Sequence, residues 1–472
     1  MDRRPEAINM STFYQPDLLF VDGSFRQGYA LEVDDSGNII SLGAASQPDS
    51  GAILHRMPGR ALLPGMIDIH SHSFQRALRG KAESRRRSGP DFWSWRNIMY
   101  RCALALSPDE IYDVARMAFL EMTLAGITTV GEFHYLHRTP TGTPYDDPNL
   151  LAKQVIRAAE SVGIRIVLLQ CAYVRAGFEL PPDPGQIRFI EPDAEKFLRD
   201  AEALRNEIAA MPPTVSFGLA PHSVRAVPHE YLKAVSTWAH AQAMPLHMHV
   251  AEQPAEIDAC VAEYGVTPFH FLDQLGLLTP DFTAIHAIHL QPGEIERMAH
   301  GRITVGACPT TERNLGDGIL RADELIDSGV SIAFGTDSHT QTDALENARE
   351  LESNLRLLHL QRAVLDGRKG ESLPALLFDF ATQAGARSLH VETGSLQPGK
   401  PADFFTVDVA DCSIAGSLPE ELLTNIVFSM SRSAVSEVVV GGRYIINQRR
   451  HEMQDDIIAA FHRVQQRLGA EL

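Results

Sequence analysis

At 472 residues the chain exceeds an ordinary single-domain length, and 44% hydrophobic with 22% charged residues makes it globular with room for a large core. A formal net charge of −18 argues against nucleic acid and anionic membranes as partners, because both select basic faces. Apolar runs such as Ile166-Val-Leu-Leu169 and Ile457-Ile-Ala-Ala-Phe461 are far shorter than the roughly 20 residues of a membrane span.

The opening Met1-Asp-Arg-Arg-Pro-Glu6 leads into no apolar leader segment. Cys102, Cys171, Cys260, Cys308 and Cys412 form no C-x-x-C pair, so the thiols are expected to be reduced and the protein cytoplasmic. Residues 1–63 read as short strands (17–21, 29–33, 38–42) broken by Asp22-Gly23 and Ser36-Gly37. The tail returns to that texture at 402–408 and 436–443, with Gly441-Gly442 as a hairpin turn. Segments 1–63 and 398–472 together are expected to build a small β-sandwich.

Between them, strand-like runs at 65–72, 127–135, 165–174, 215–223, 245–252, 283–290, 303–309 and 331–337 alternate with helical stretches. Helices are expected from Ser107 to Gly126, opened by Ser107-Pro-Asp-Glu110 as a capping box, and over 150–161, 192–210, 228–242, 253–263, 292–300, 320–329, 343–365 and 373–384. Eight β/α units without a Gly-x-Gly-x-x-Gly loop after the first strand predict a (β/α)₈ barrel, TIM-like, over 64–397. The charge run Arg85-Arg86-Arg87 reads as a solvated loop face.

A barrel's active face lies at the carboxyl ends of its strands, and four of them end in metal-competent residues. They are His70 and His72 on the first, His249-Val-Ala-Glu252 on the fifth, His286 and His289 on the sixth, and Asp337-Ser-His339 on the eighth. His70 and His72, two apart on a strand, share a face about 6–7 Å apart along the backbone. A histidine near a strand end is ordinarily a hydrogen-bonded structural group, but that reading fails for four strands at once.

Three imidazoles and a carboxylate suit zinc or a similar divalent ion with a position left open for water. The ligands are assigned as His70, His72, His249 and Asp337, and the chemistry as hydrolysis. Glu252, three residues past His249, is placed as the proton shuttle to a leaving nitrogen. His286 is assigned to the attacking water or the tetrahedral intermediate, and His289 to a structural role.

These motifs, with Pro64-Gly-Met-Ile-Asp-Ile-His-Ser-His72, Ile285-His-Ala-Ile-His289, Gly335-Thr-Asp337 and Gly394-Ser-Leu-Gln-Pro-Gly-Lys-Pro-Ala-Asp403, resemble the amidohydrolase superfamily over nearly the whole chain. Further motifs resemble its formimidoylglutamate deiminases: His70-Ser-His-Ser-Phe-Gln-Arg-Ala77, Phe92-Trp-Ser-Trp-Arg96, Gly131-Glu-Phe-His-Tyr135, Ala220-Pro-His-Ser-Val-Arg225 and His249-Val-Ala-Glu-Gln253. The resemblance implies one divalent ion per chain (zinc, with iron(II) the alternative), Asp337 as both ligand and catalytic group, and a homodimer. It also implies hydrolysis of N-formimino-L-glutamate to N-formyl-L-glutamate and ammonia in histidine degradation.

Substrate contacts are implied at Gln75, Arg96, Tyr135, His222 and Arg225. A small anionic substrate in so acidic a protein needs fixed guanidinium forks, and Arg96, read as lying in a loop, and Arg225 are the candidates. The rival readings are a deaminase or chlorohydrolase acting on a purine, pterin or triazine ring, which would want a stacking pocket, and a catalytically silent scaffold, which would have lost metal ligands.

Overall fold

The computed structural model describes residues 11–45, 51–83 and 92–471; the Arg85-Arg86-Arg87 run and the first ten residues lie outside them. Eight strands form one all-parallel sheet in sequence order: β1 (Met66–Ser71), β2 (Ile127–His134), β3 (Arg165–Ala172), β4 (Val215–Pro221), β5 (Leu246–Val250), β6 (Phe282–His286), β7 (Thr304–Ala307) and β8 (Ser331–Phe334). Helices cover the sheet, so β2 and β3 are buried at every position, and β3 carries the apolar run Ile166-Val-Leu-Leu169 that such burial favours. The barrel closes beside the predicted ligands. Asp337 N–H donates to the His70 carbonyl at 2.8 Å, and His72 N–H donates to the Asp337 carbonyl at 3.1 Å.

The terminal segments meet in a nine-stranded mixed sheet. Its central strand, Ile53–Pro64, pairs parallel with Thr12–Val21 and antiparallel with Phe404–Asp408. The sheet encloses a core of its own, to which Tyr14, Leu31 and Met57 come from one end of the chain and Phe404 and Val439 from the other. The Gly441-Gly442 turn, with φ of 54° and 74°, connects Val435–Val440 to Arg443–Asn447. Asp403 of the closing motif takes both Arg165 Nε and Nη2, at 2.9 and 3.1 Å, and so ties this sheet to β3.

The capping box at Ser107 is formed, with Ser107 Oγ accepting from Glu110 N–H and the Glu110 carboxylate accepting from Ser107 N–H. Some boundaries differ from expectation. The helix expected over 343–365 stops at His359, because Leu360 turns left-handed (φ 54°) and the buried Glu352 carboxylate accepts the Val364 and Leu365 N–H groups. The stretch 373–384 is split into the helices Leu373–Phe380 and Gln383–Leu389. β6 ends at His286, since His286 and Ala287 have φ of 73° and 53°. The reading that placed Arg96 in a loop is corrected. It lies on the helix Phe92–Ala105, where the aromatic cluster of Phe92-Trp-Ser-Trp95 obscures the helical period.

Candidate active site and metal centre

Strand ends bring His70, His72, His249 and Asp337 together as a buried cluster. His249 Nε2 lies 3.1 Å from His70 Nε2 and 3.4 Å from His72 Nε2. Asp337 Oδ1 lies 3.4 and 3.3 Å from the same two histidine nitrogens. Tetrahedral coordination with bonds of about 2.0–2.2 Å sets ligand atoms roughly 3.3–3.5 Å apart, so these four atoms fit a divalent ion.

The surrounding hydrogen bonds select the matching tautomers. His72 Nδ1 donates to the Phe133 carbonyl at 2.9 Å and His249 Nδ1 to the His222 carbonyl at 3.0 Å, which turns each Nε2 lone pair toward the centre. Burial and the neighbouring imidazoles hold His70 and His249 well below the ordinary histidine range. Burial also lowers His72, against the pull of Asp337. All three are therefore neutral, as ligands must be.

Asp68 locks the seam behind them by accepting from the backbone N–H groups of His70 and Thr336, each at 3.1 Å, and from the Thr336 hydroxyl. The close approach explains Gly335. A Cβ there would lie 2.7 Å from His70 Cβ and 2.9 Å from its carbonyl oxygen.

His286 faces the cluster with Nε2 at 3.7 Å from Glu252 Oε1 and 3.8 Å from Asp337 Oδ2, while Nδ1 lies 3.3 Å from Glu312 Oε1. Burial opposes its charge, but Glu252, Glu312 and Asp337 outweigh burial and raise it to about 10. Burial also raises the Glu252 carboxyl above its usual range, against the pull of His286. His289 stands apart, its Nε2 donating to the Asp317 carbonyl at 2.9 Å.

One cavity is bordered by Glu252, His286, Asp337 and the five substrate candidates Gln75, Arg96, Tyr135, His222 and Arg225. Gln75 donates to the Tyr135 hydroxyl at 2.8 Å, and His222 Nδ1 lies 3.1 Å from Ser223 Oγ. Arg96 stacks its guanidinium 4.4 Å from the Trp93 ring centroid, and its buried Nε and Nη1 have no hydrogen-bond partner among the described residues. Arg225 donates to the Ala176 carbonyl at 3.1 Å. Among the described residues neither arginine has a carboxylate within 4 Å, although the buried Glu256 carboxylate acts on Arg225 from farther off.

Residues the sequence reading passed over also belong here. Glu312, on the helix Pro309–Leu315 beyond β7, holds His286. Tyr100 and Tyr173 line the cavity. Glu312 lies four residues past the buried Cys308 at a strand's carboxyl end, a signal that was present. Tyr100 is a helical turn beyond Arg96, a signal only once that segment is known to be a helix.

Residues 61–445 match the family model described as Amidohydrolase family. The chain is similar to the formimidoylglutamate deiminase of Pseudomonas aeruginosa, with 35% identity over 96% of this chain and 99% of the relative. It is 27% identical to the 5-methylthioadenosine/S-adenosylhomocysteine deaminase of Syntrophomonas wolfei over 93% of this chain and 94% of that one. Among solved structures, an amidohydrolase from Brucella melitensis superposes with a TM-score of 0.87 and 32% identity, covering 97% and 99% of the two chains. A zinc-bound adenosine deaminase from Xanthomonas campestris shares the fold at a TM-score of 0.82 and 22% identity, over 98% and 99%.

Proposed function

Because the chain belongs to the amidohydrolase family, we propose that it hydrolyses N-formimino-L-glutamate to N-formyl-L-glutamate and ammonia in histidine degradation, using one zinc or iron(II) ion. The observation that carries this reading is the polarity of the cavity. Metal-competent side chains and two guanidinium groups border the same cavity, and among the described residues neither Arg96 nor Arg225 has a carboxylate within ion-pair distance, Glu256 acting on Arg225 only from farther off. Guanidinium groups removed from water are costly unless an anion meets them, and a glutamyl moiety brings two carboxylates. The similarity to a formimidoylglutamate deiminase supports the same substrate.

A divalent ion held by His70, His72, His249 and Asp337 supplies Lewis acidity that brings the ionisation of water near neutral pH. Glu252 Oε1 is placed to take the proton of the attacking water and pass it to the substrate nitrogen. His286 Nε2–H is placed to hold the oxygen on which negative charge develops. The water oxygen bonds to the formimidoyl carbon, the bond from that carbon to the terminal nitrogen breaks, and the nitrogen leaves as ammonia. Arg96, Arg225, Gln75 and His222 hold the glutamyl portion so that the formimidoyl carbon lies beside Glu252.

A cytoplasmic homodimer completes the proposal. Five unpaired cysteines suit a reducing compartment, and sedimentation tests the dimer. The deciding assay is ammonia release from N-formimino-L-glutamate against guanine and S-adenosylhomocysteine. Preference for either ring compound overturns the substrate, and two metal ions per chain at full activity overturn the single-ion centre.

A further inference from the structure

We infer that Tyr100 and Tyr173, oriented by Gln186, are hydrogen-bond donors of a carboxylate subsite completed by Arg96 and Arg225. The inference rests on the anionic-substrate reading above and specifies the groups that recognise the anion.

Gln186 is fully buried in the short turn Pro184–Gln186. Its single Nε2 donates to Tyr100 Oη at 2.7 Å and to Tyr173 Oη at 2.8 Å. Both amide hydrogens are therefore used, and each phenol oxygen is already an acceptor, so each phenol hydrogen must point elsewhere. Among the described residues neither phenol has an acceptor for that hydrogen, and both rings border the cavity. The reverse amide orientation would strand two N–H hydrogens, whereas the present one strands only the Gln186 carbonyl oxygen.

The positions are built rather than incidental. A Cβ on Gly185 would lie 2.7 Å from Tyr100 Cδ2, so glycine is what lets the turn seat against the ring. Tyr100 follows Arg96 by one helical turn, with the Arg96 guanidinium 5.4 Å from its ring centroid, and Arg225 lies against the Tyr173 hydroxyl. Burial keeps the Tyr100 phenol protonated and able to donate. Two guanidinium groups and two phenol hydrogens make the subsite rich in donors. Such a subsite selects a carboxylate, which only accepts, over the corresponding amide, whose N–H₂ would face donors.

The test measures calorimetric binding of glutarate and of its monoamide to the metal-loaded protein and to Tyr100→Phe, Tyr173→Phe and Gln186→Glu. Each phenylalanine variant should bind glutarate roughly 10–100-fold more weakly, the usual loss for a hydrogen bond to a charged group. The preference of the parent for glutarate over the monoamide should shrink with it. Gln186→Glu adds no bulk and, when ionised, can only accept, so it draws the phenol hydrogens away from the cavity and should lose at least as much, with a cooperative melt confirming that the variant is folded. In turnover, the losses should fall on KM while kcat holds.

Three variants that bind glutarate within threefold of the parent overturn the inference while leaving the proposed function standing. A parent that binds glutarate, loses it in the variants and yet fails to turn over N-formimino-L-glutamate sinks the substrate instead. A parent that binds no glutarate sinks the subsite itself.

Discussion

Replacing Gly335 by alanine tests whether the barrel seam, rather than the ligands alone, sets the metal geometry. The added methyl would sit 2.7 Å from His70 Cβ, 2.9 Å from the His70 carbonyl oxygen and 3.1 Å from Cys308 Sγ. Relieving the first two contacts requires roughly 1 Å of movement, since non-bonded carbons rest at about 3.5–4.0 Å. The flanking strands are held by the Asp337 to His70 bond at 2.8 Å and by Asp68, so the seam and His70 must move together.

Overpacking of this kind costs roughly 1–3 kcal/mol. A shift of that size also exceeds the ~0.5 Å tolerance of a preorganised site, so zinc affinity should fall by roughly 10-fold or more. Both effects are read on one preparation, by chemical unfolding of the metal-free protein and by competition with a chelator. A Gly335→Ala protein with parental stability and parental zinc affinity would refute the reasoning, because the seam would then have slack that the structure does not show.

Glu252→Gln should retain its metal and lose roughly 10²–10⁴ in turnover, whereas His70→Ala should lose the metal; metal loss from the Glu252 variant would reassign that residue as a ligand. Arg225→Met should cost on the order of 2–5 kcal/mol in kcat/KM for N-formimino-L-glutamate, and less for an analogue lacking the carboxylate it binds; an unchanged kcat/KM refutes the role of Arg225. His137 and His247, neither of them an assigned ligand, are held down by burial to about 4. The unfolded chain takes up protons below about pH 6.5 that these folded groups refuse, so their contribution is intact above 6.5 and lost as pH falls toward 4. His247→Gln should flatten the acid limb of the metal-free protein's stability in urea, and an identical limb would count against the assignment.

The gathering of His70, His72, His249, Asp337 and Glu252 at one end of the barrel was legible in the sequence because strand geometry is local. His-x-His at the end of β1 shares one face by the two-residue period, and eight alternations of strand and helix imply that all carboxyl ends point one way. The arginine-lined part of the cavity was legible only in part. Arg225 sits at a strand end, but Arg96 looked like a loop residue because aromatic clustering hid the helical period of Phe92–Ala105.

What the sequence by itself determined is the barrel, the terminal sheet and the identity of the residues gathered at its mouth, since each follows from periodicity and from where strands stop. What only the tertiary structure decided is partnership: Glu312 on His286, Gln186 between Tyr100 and Tyr173, Asp403 on Arg165, and Gly335 against His70. These pairs join residues brought within hydrogen-bond or van der Waals reach only when the chain closes on itself. Burial then makes each partner indispensable, and no local pattern of residues encodes that.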